Sequence, residues 1–300
     1  MDFGKLPNIE KADFTLPPDS AANKELLNKK DYKKTNVYVG CAKWGRKEWV
    51  GKIYPPKTKE KDYLSYYVKQ FDCIELNATH YRIHEADVIK GWASKAGNDF
   101  KFCPKFPQLI SHLKRLRDCE RLTEDFYNSI SHFKNKLGVC FLQLPPNFAP
   151  KSFPQLKTYL ESLPKSPEVC LELRHPDWFN DKGVYDETFD LLKGLKMGSV
   201  ITDTSGRRDL VHMRLSNKTA FIRFVGNNLH PSDYTRVDDW VKRLKKWISS
   251  GLETLYFMMH QHEEIDSPEL CSYVIKQMNK QCKLKLKEPR FVNEQGKLFE

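Results

Sequence analysis

Two polar side chains interrupt an apolar run in the stretch CIELNATHYRIH, residues 73–84. The run is typical of a buried strand, yet Glu75 and Asn77 are costly to bury unless each has a partner. A carboxylate in this place either moves protons or holds a nearby cation, and Lys43 and Arg174 are the candidate cations. The first question is therefore whether Glu75 takes part in proton transfer or holds a cation in position.

Polar side chains also lie at the ends of seven other apolar runs. Glu172 shares one face of its run with Cys170 and Arg174, because side chains alternate along a strand. If the small cysteines point into the core, the carboxylates of Glu75 and Glu172 point the same way. The polar residues at the eight ends are, in chain order, Lys43 and Trp44; Glu75, Asn77, Thr79, His80 and Tyr81; Lys105; Gln143; Glu172, Arg174 and His175; Asp203; Arg223 and Asn227; His260 and His262.

These residue types suit acid–base chemistry on an anionic substrate. Lys105, Arg174 and Arg223 would bind the anion, since guanidinium and ammonium groups pair with phosphate and carboxylate oxygens. Glu75 or Glu172 would act as the general base. The sequence thus predicts an anion-binding enzyme, with hydrolysis of a phosphoester as the leading reaction.

Histidines supply the predicted general acid and a candidate metal site. His175 or His260 would be the acid. His260 and His262 lie two residues apart on one predicted strand, so their imidazoles converge on one side, and with Glu172 and Asp203 they would hold a divalent metal. The motifs H-E-x-x-H, G-x-S-x-G and G-x-x-x-x-G-K-[ST] do not occur, which removes several common catalytic classes.

Strand-like and helical patterns alternate from residue 37 onward. Near-continuous apolar strands indicate a parallel sheet covered on both faces, and eight of them predict a single (β/α)8 TIM barrel with its site at the strand C-termini. Pro104 predicts that the third strand ends or bulges there. The predicted strands are 37–44, 73–79, 100–107, 138–146, 168–178, 199–205, 220–227 and 254–262. The predicted helices are 60–71, 84–96, 122–136, 152–163, 185–196, 238–250 and 267–280.

Residues 1–35 are polar and predict an N-terminal extension outside a barrel domain of residues 36–300. The formal net charge of +11 favours an anionic small molecule or nucleic acid as partner, because a positive field attracts anions. We see neither a signal peptide nor an apolar run that could span a membrane. The eight cysteines, none in a C-x-x-C pair, predict free thiols in the cytoplasm. The oligomeric state stays open.

Short motifs spread over residues 37–280 resemble one known family. They are GCAKW (40–44), WVGKIYP (49–55), ELNATHYR (75–82), FCPK (102–105) with Ser111 and His112, FLQLPP (141–146), LELRHPDW (171–178), Asp203 and FIRF (221–224). The chain resembles the family called domain of unknown function 72. The resemblance implies a TIM barrel and no particular reaction. It also implies polar family positions at Glu75, Asn77, Tyr81, Arg82, Lys105, Gln143, Glu172, Arg174, His175, Asp203 and Arg223.

This sequence departs from the family pattern at three places. His80 replaces a usual phenylalanine, a usual histidine after the seventh strand is replaced near Val225, and a usual asparagine pair on the eighth strand becomes Met-His-Gln-His at 259–262. The loss of one histidine and gain of another is either a compensation or a change of ligand.

Three hypotheses follow. The first is an enzyme acting on a phosphorylated or other anionic substrate, with or without a metal. The second is a metal-free carbohydrate-active enzyme with Glu75 and Glu172 as its carboxylate pair. The third is a non-catalytic nucleic-acid-binding protein that uses the basic surface around 101–121 and 236–246.

Overall fold

The computed structural model describes residues 3–28 and 34–292, in which eight strands alternate with helices. The strands are Asn36–Cys41 (β1), Cys73–Leu76 (β2), Lys101–Pro104 (β3), Cys140–Gln143 (β4), Val169–Glu172 (β5), Gly198–Asp203 (β6), Thr219–Gly226 (β7) and Thr254–Gln261 (β8). The α-helices are Ala22–Leu26 (α1), Tyr63–Gln70 (α2), Ala78–Tyr81 (α3), Ala86–Lys95 (α4), Glu120–Ser131 (α5), Phe153–Ser162 (α6), Asp177–Asn180 (α7), Lys182–Gly194 (α8), Pro231–Ser250 (α9) and Ser267–Cys282 (α10). Within the described ranges, no helix has the length and apolar character needed to cross a bilayer.

The strands pair in parallel, in a six-stranded sheet and a separate pair. The order of the larger sheet is β1-β8-β7-β6-β5-β4, and β2 pairs with β3. Backbone hydrogen bonds lie at both gaps: Asp72 N donates to Val39 O (3.4 Å) between β1 and β2, and Phe106 N to Phe141 O (3.0 Å) and Gly138 N to Phe102 O (2.7 Å) between β3 and β4. This α/β arrangement of parallel strands and covering helices is consistent with a TIM-like barrel.

The inward faces of the strands carry a small apolar cluster with the candidate site beyond it. Cys73, Cys103 and Cys170 belong to this cluster, together with larger side chains such as Phe221 and Met258. Successive residues of a strand alternate in direction, so the side chains two positions further along face the same space. Those next positions hold Glu75 on β2 and Glu172 on β5, as the alternation predicted. All eight cysteines are free thiols.

The strands are shorter than the apolar runs that predicted them. β2 ends at Leu76 because helix α3 begins at Ala78, and the Thr79 hydroxyl donates to Leu76 O (2.9 Å) and Lys105 O (2.8 Å). Thr79 therefore does not continue the face of Glu75. β3 ends at Pro104, as its missing N–H predicted. Helix α10 begins at Ser267, as predicted, and extends two residues past its predicted end to Cys282.

The described part of the N-terminal segment, residues 3–28, packs against the outside of the sheet and helices; we call it the N-terminal arm. Asn23 binds two backbone groups after β6, donating to Met213 O (2.8 Å) and accepting from Leu215 N (2.9 Å). Asp19 lies 2.8 Å from both Arg243 and Lys246 of α9. Buried amide contacts of this kind fix the arm in one place. Residues 1–2 and 29–33 of the predicted extension lie outside the described residues.

Candidate functional site

Arg223 of β7 joins the two buried carboxylates. Its Nε and Nη2 donate to the two oxygens of Glu75 (2.8 and 2.9 Å), and its Nη1 donates to both oxygens of Glu172 (3.0 and 2.9 Å). All three side chains are at most 1% exposed. The partner of Glu75 is therefore Arg223, rather than Lys43 or Arg174 as we had considered.

This sharing keeps both carboxylates charged. Burial alone would raise the pKa of Glu75, but the charges of Arg223 and His260 hold it well below its ordinary value. Burial opposes ionisation of Glu172 as well, and the charges of Arg174 and Arg223 still lower its pKa. A carboxylate with a lowered pKa is a poor base near neutral pH. The geometry thus favours a positioning role for the pair.

His260 of β8 extends the network on the Glu75 side. Its Nε2 lies 3.0 Å from Glu75 Oε2, and its Nδ1 lies 3.4 Å from Glu264 Oε1. Burial and the charge of Arg223 would lower the pKa of His260, but the nearby carboxylates of Glu75 and Glu264 raise it. In the β7–β8 register His260 lies beside Val225. The gained histidine thus stands next to the position where the family's histidine is replaced, as a compensation would require.

Arg174 and Lys105 are the cations of this cluster that keep unused donors. Arg174 Nε donates to Glu172 (2.7 Å), whereas its buried Nη2 has no hydrogen-bond partner within the described residues. Lys105 Nζ donates to Gln143 Oε1 (2.9 Å), and the Lys105 and Arg174 side chains are each 8% exposed. A buried donor without an acceptor is costly, so Arg174 is poised for a further ligand.

The cations of the cluster collect on its Glu172 side. Lys105, Arg174 and Arg223 balance Glu75, Glu172 and Glu264 overall, but Glu264 lies beyond His260 on the Glu75 side. Burial and the nearby Arg223 charge lower the pKa of Lys105 to about 8, opposed by the carboxylates of Glu172 and Glu75. Lys105 is therefore mostly charged at pH 7 and close to releasing its proton. The side of the cluster that holds Lys105 and Arg174 attracts an anion.

Two histidines beside Lys105 were not among the predicted catalytic residues. The rings of His80 and His112 lie 5.0 Å apart, and His112 Nδ1 is 2.8 Å from Ser111 Oγ. Burial, together with the charge of Lys105, lowers the pKa of each histidine to about 4, so both are neutral at pH 7. Their sequence signals were the family motifs around 75–82 and 102–112, where His80 is itself a departure.

Asp203 lies in a different cluster from Glu75 and Glu172. Its carboxylate accepts from Arg236 Nη2 (2.7 Å) and Trp240 Nε1 (2.6 Å), both on helix α9, and also from Arg208. Burial would raise the pKa of Asp203, but the charges of Arg236 and Arg208 lower it. These contacts account for the burial of a carboxylate at the end of β6.

Asn77 and Lys43 lie on the Glu75 side of the cluster, and Trp44 follows Lys43 in sequence. Asn77 Nδ2 donates to Glu75 Oε1 (3.0 Å), which adds a neutral partner to that carboxylate. Lys43 is exposed, and its charge helps to lower the pKa of Glu264. Trp44 is half-buried and meets Trp92 edge to face at 5.4 Å.

Tyr81, Arg82 and His175 lie towards solvent. The Tyr81 side chain is 72% exposed and Arg82 is exposed beside it. His175 is half-buried, and its Nδ1 accepts from Asp177 N (3.2 Å) and lies 3.6 Å from the Asp177 carboxylate. These three residues therefore lie outside the buried cluster.

The predicted metal ligands do not converge. In the described ranges, no three or more His, Cys, Asp or Glu side chains are arranged to hold a metal ion. His260 uses its two nitrogens towards Glu75 and Glu264, Asp203 faces helix α9, and His262 follows the end of β8. The donor set therefore does not fit a metal coordinated by Glu172, Asp203, His260 and His262.

Comparison with known proteins agrees with the motifs. The model of the family described as protein of unknown function DUF72 matches residues 38–293. The chain belongs to the DUF72 family. This DUF72 chain is 29% identical over 255 residues to the UPF0759 protein YecE of Escherichia coli K12, covering 78% of this chain and 89% of that protein. It is 25% identical over 240 residues to the UPF0759 protein YunF of Bacillus subtilis, covering 70% and 83%.

Solved structures share the fold of this DUF72 chain. Two crystal structures of a DUF72 family protein from Enterococcus faecalis V583 match with TM-scores of 0.64 and 0.62. Their sequence identities are 14% and 16%, and they cover 85% and 84% of this chain and 98% and 99% of theirs. At this identity the match concerns the fold, which places the cluster described above on a scaffold that other family members share.

Proposed function

We propose that this DUF72 chain is an enzyme that binds an anionic substrate, such as a phosphoester, at the C-terminal ends of the strands of a (β/α)8 barrel. The observation that carries the proposal is the buried Arg174 Nη2, which has no hydrogen-bond partner among residues 3–28 and 34–292, beside the ammonium group of Lys105. A doubly charged phosphate offers the acceptors that both donors lack, and charge-assisted hydrogen bonds of this kind are the strong ones.

The neighbouring groups suit proton transfer during hydrolysis. Water would attack phosphorus as the bond to the leaving oxygen breaks. A nonbridging oxygen of the phosphoryl group would take the proton of the water, and Lys105, with a pKa of about 8, would protonate the leaving oxygen. Arg174 would hold the phosphoryl oxygens, and Arg223 would be held in place by Glu75 and Glu172.

The carbohydrate hypothesis finds less support in this geometry. A glycosidase needs one carboxyl group with a raised pKa as the general acid. Glu75 and Glu172 share the guanidinium of Arg223, and the pKa of each is lowered. Both carboxyl groups are therefore charged at pH 7, and neither is ready to donate a proton.

Nucleic-acid binding remains the second candidate function, because of one surface feature. Tyr81 and Leu113 are 72% and 68% exposed, next in sequence to the exposed cations Arg82 and Lys114. Aromatic faces with neighbouring cations bind single-stranded nucleic acid by stacking and charge. Binding that weakens steeply with salt and survives Glu75→Gln and Glu172→Gln together would favour this candidate.

The direct test of the anion site is the affinity for inorganic phosphate, measured by isothermal titration calorimetry. We expect Arg174→Gln and Lys105→Met each to raise the Kd at least about tenfold, since each removes a charged hydrogen bond. Lys114→Met removes an exposed lysine on the same side and should leave the Kd unchanged. A panel of phosphoesters, with and without Mn²⁺ or Zn²⁺, then tests for turnover.

The pH dependence of the phosphate affinity is a second test of the same site. Phosphate binding needs the charged form of Lys105, so the affinity should fall as the pH rises through about 8. In Lys105→Met this fall should be absent. Equal phosphate affinity of the wild type and Arg174→Gln at every pH would contradict the proposal.

A further inference from the structure

The donors of the candidate site are buried in this conformation. Glu172 and Arg223 are 1% exposed, and Arg174 and Lys105 are 8% exposed. A ligand that reaches Arg174 Nη2 must therefore first displace the segment of the chain that lies directly on Arg174.

The N-terminal arm supplies that segment. The ring of Phe3 lies against the Arg174 guanidinium, with 3.9 Å from the ring centroid to Cζ, and 5.7 Å from Cζ of Arg207. A guanidinium over an aromatic face is an attractive contact, and it is stronger when both groups are shielded from water. Phe3 thus covers one face of the cation that we assign to the anion.

The backbone of the arm is anchored where Phe3 enters. Gly4 O accepts from Gly206 N (2.7 Å) and from the Thr204 hydroxyl (3.2 Å). Gly4 has φ +72°, and a Cβ there would meet Thr204 side-chain atoms at 2.4–3.0 Å. Glycine is needed at this position for both the left-handed backbone and the close approach.

The arm is a feature of this chain beyond the matched part of the family. The family match begins at residue 38, and the arm ends before it. A second phenylalanine of the arm contacts arginines in the same way: Phe14 stacks on Arg236 at 4.8 Å, and its carbonyl accepts from Arg208. The arm therefore contacts arginines both at α9, through Phe14, and at the candidate site, through Phe3.

We propose that the N-terminal arm is an intramolecular strap, which covers Arg174 through Phe3 and must leave before an anion can bind. The proposal rests on the function proposed above, because it regulates the same site. Strap and anion exclude each other at Arg174, so the apparent Kd for the anion rises by the inverse of the fraction of molecules in which the strap is released.

The test uses the full chain with two variants that release the strap in different ways. Phe3→Ala removes the ring and keeps the backbone contacts, whereas Gly4→Val introduces the clash with Thr204 at a positive φ. Pro7→Ala changes an exposed arm residue and is the matched control. Hydrogen exchange of the Gly206 amide reports on release, because that N–H is bonded to Gly4 O.

Access to the site is measured separately, by phenylglyoxal modification of Arg174 followed by mass spectrometry, with exposed Arg82 as the internal standard. We expect faster Gly206 exchange in Gly4→Val. We also expect several-fold faster modification of Arg174 in Gly4→Val and Phe3→Ala, and phosphate affinity about tenfold higher than in the wild type and Pro7→Ala.

The outcomes separate the two proposals. Faster Gly206 exchange with unchanged Arg174 reactivity would overturn the strap, and so would unchanged Gly206 exchange in Gly4→Val. Faster Arg174 modification with no phosphate binding in any variant would support the strap and overturn the anion site.

Discussion

At the scale of single residues, Arg223 explains why two carboxylates are buried. Its guanidinium binds Glu75 along one edge and Glu172 along another, and Asn77 adds a neutral partner to Glu75. Each group is costly to bury alone, and together they satisfy one another. Glu75 is therefore a positioning residue in this account, which answers the question its sequence raised.

Replacing Arg223 should cost more than a single hydrogen bond. Arg223→Met leaves Glu75 and Glu172 buried without their shared cation, and we expect the free energy of unfolding to fall by about 3–5 kcal/mol in urea titrations. The triple variant with Glu75→Gln and Glu172→Gln should recover part of that loss. A loss under about 1 kcal/mol would contradict the role given to Arg223.

The same cluster should make stability depend on pH in the acid range. Because the folded pKa values of Glu75 and Glu172 lie below the ordinary value of 4.5, their contribution is complete above pH 4.5 and is lost as the pH falls below it. Circular dichroism melts of the wild type and the triple variant between pH 3 and 7 would show whether the difference follows this direction.

Sequence reasoning found the charged residues of the cluster but not their pairing. Strand alternation placed Glu75, Glu172 and Arg174 on inward faces, and the structure agrees. It could not show that Arg223 reaches both carboxylates, because that depends on side-chain length across the enclosed space. The depressed pKa values of His80 and His112 likewise depend on burial next to Lys105, which no spacing in the sequence encodes.

At the scale of elements, the order of strands and helices was predictable and their ends were less so. Apolar residues continue past the last paired residue of several strands, so the predicted runs overshoot; β2 ends at Leu76 where helix α3 follows. Pro104 marked the end of β3 correctly because a missing N–H is a local property. The partners of Asp203, by contrast, could not be predicted from local sequence. Arg236 and Trp240 lie on helix α9, more than thirty residues away in sequence.

The contacts of Asp203 predict a structural phenotype. Asp203→Ala removes the carboxylate that accepts from Arg236 and Trp240, while Arg236 keeps the carboxylate of Asp233 and its hydrogen bond to Asp203 O. We expect a loss of about 1–3 kcal/mol in the free energy of unfolding, with phosphate affinity unchanged wherever the variant is folded. Unchanged stability with abolished phosphate binding or turnover would return Asp203 to the site.

At the scale of the whole molecule, the TIM-like scaffold and the arm have different roles at the candidate site. The scaffold brings polar side chains from β2, β3, β4, β5, β7 and β8 to one end, and the arm covers part of that end through Phe3. The family match accounts for the scaffold but not for the arm, whose polar composition predicted only an extension. A lone phenylalanine in such a segment carries no signal of where its ring packs.

A crystal structure of the full chain grown with tungstate, a phosphate mimic that scatters anomalously, tests the central claim most directly. We expect an anomalous peak about 4 Å from Arg174 Nη2 and Lys105 Nζ, with tungstate oxygens about 3 Å from both nitrogens and Phe3 displaced from the Arg174 guanidinium. Phe3 still stacked on Arg174, with tungstate only at surface lysines, would contradict it.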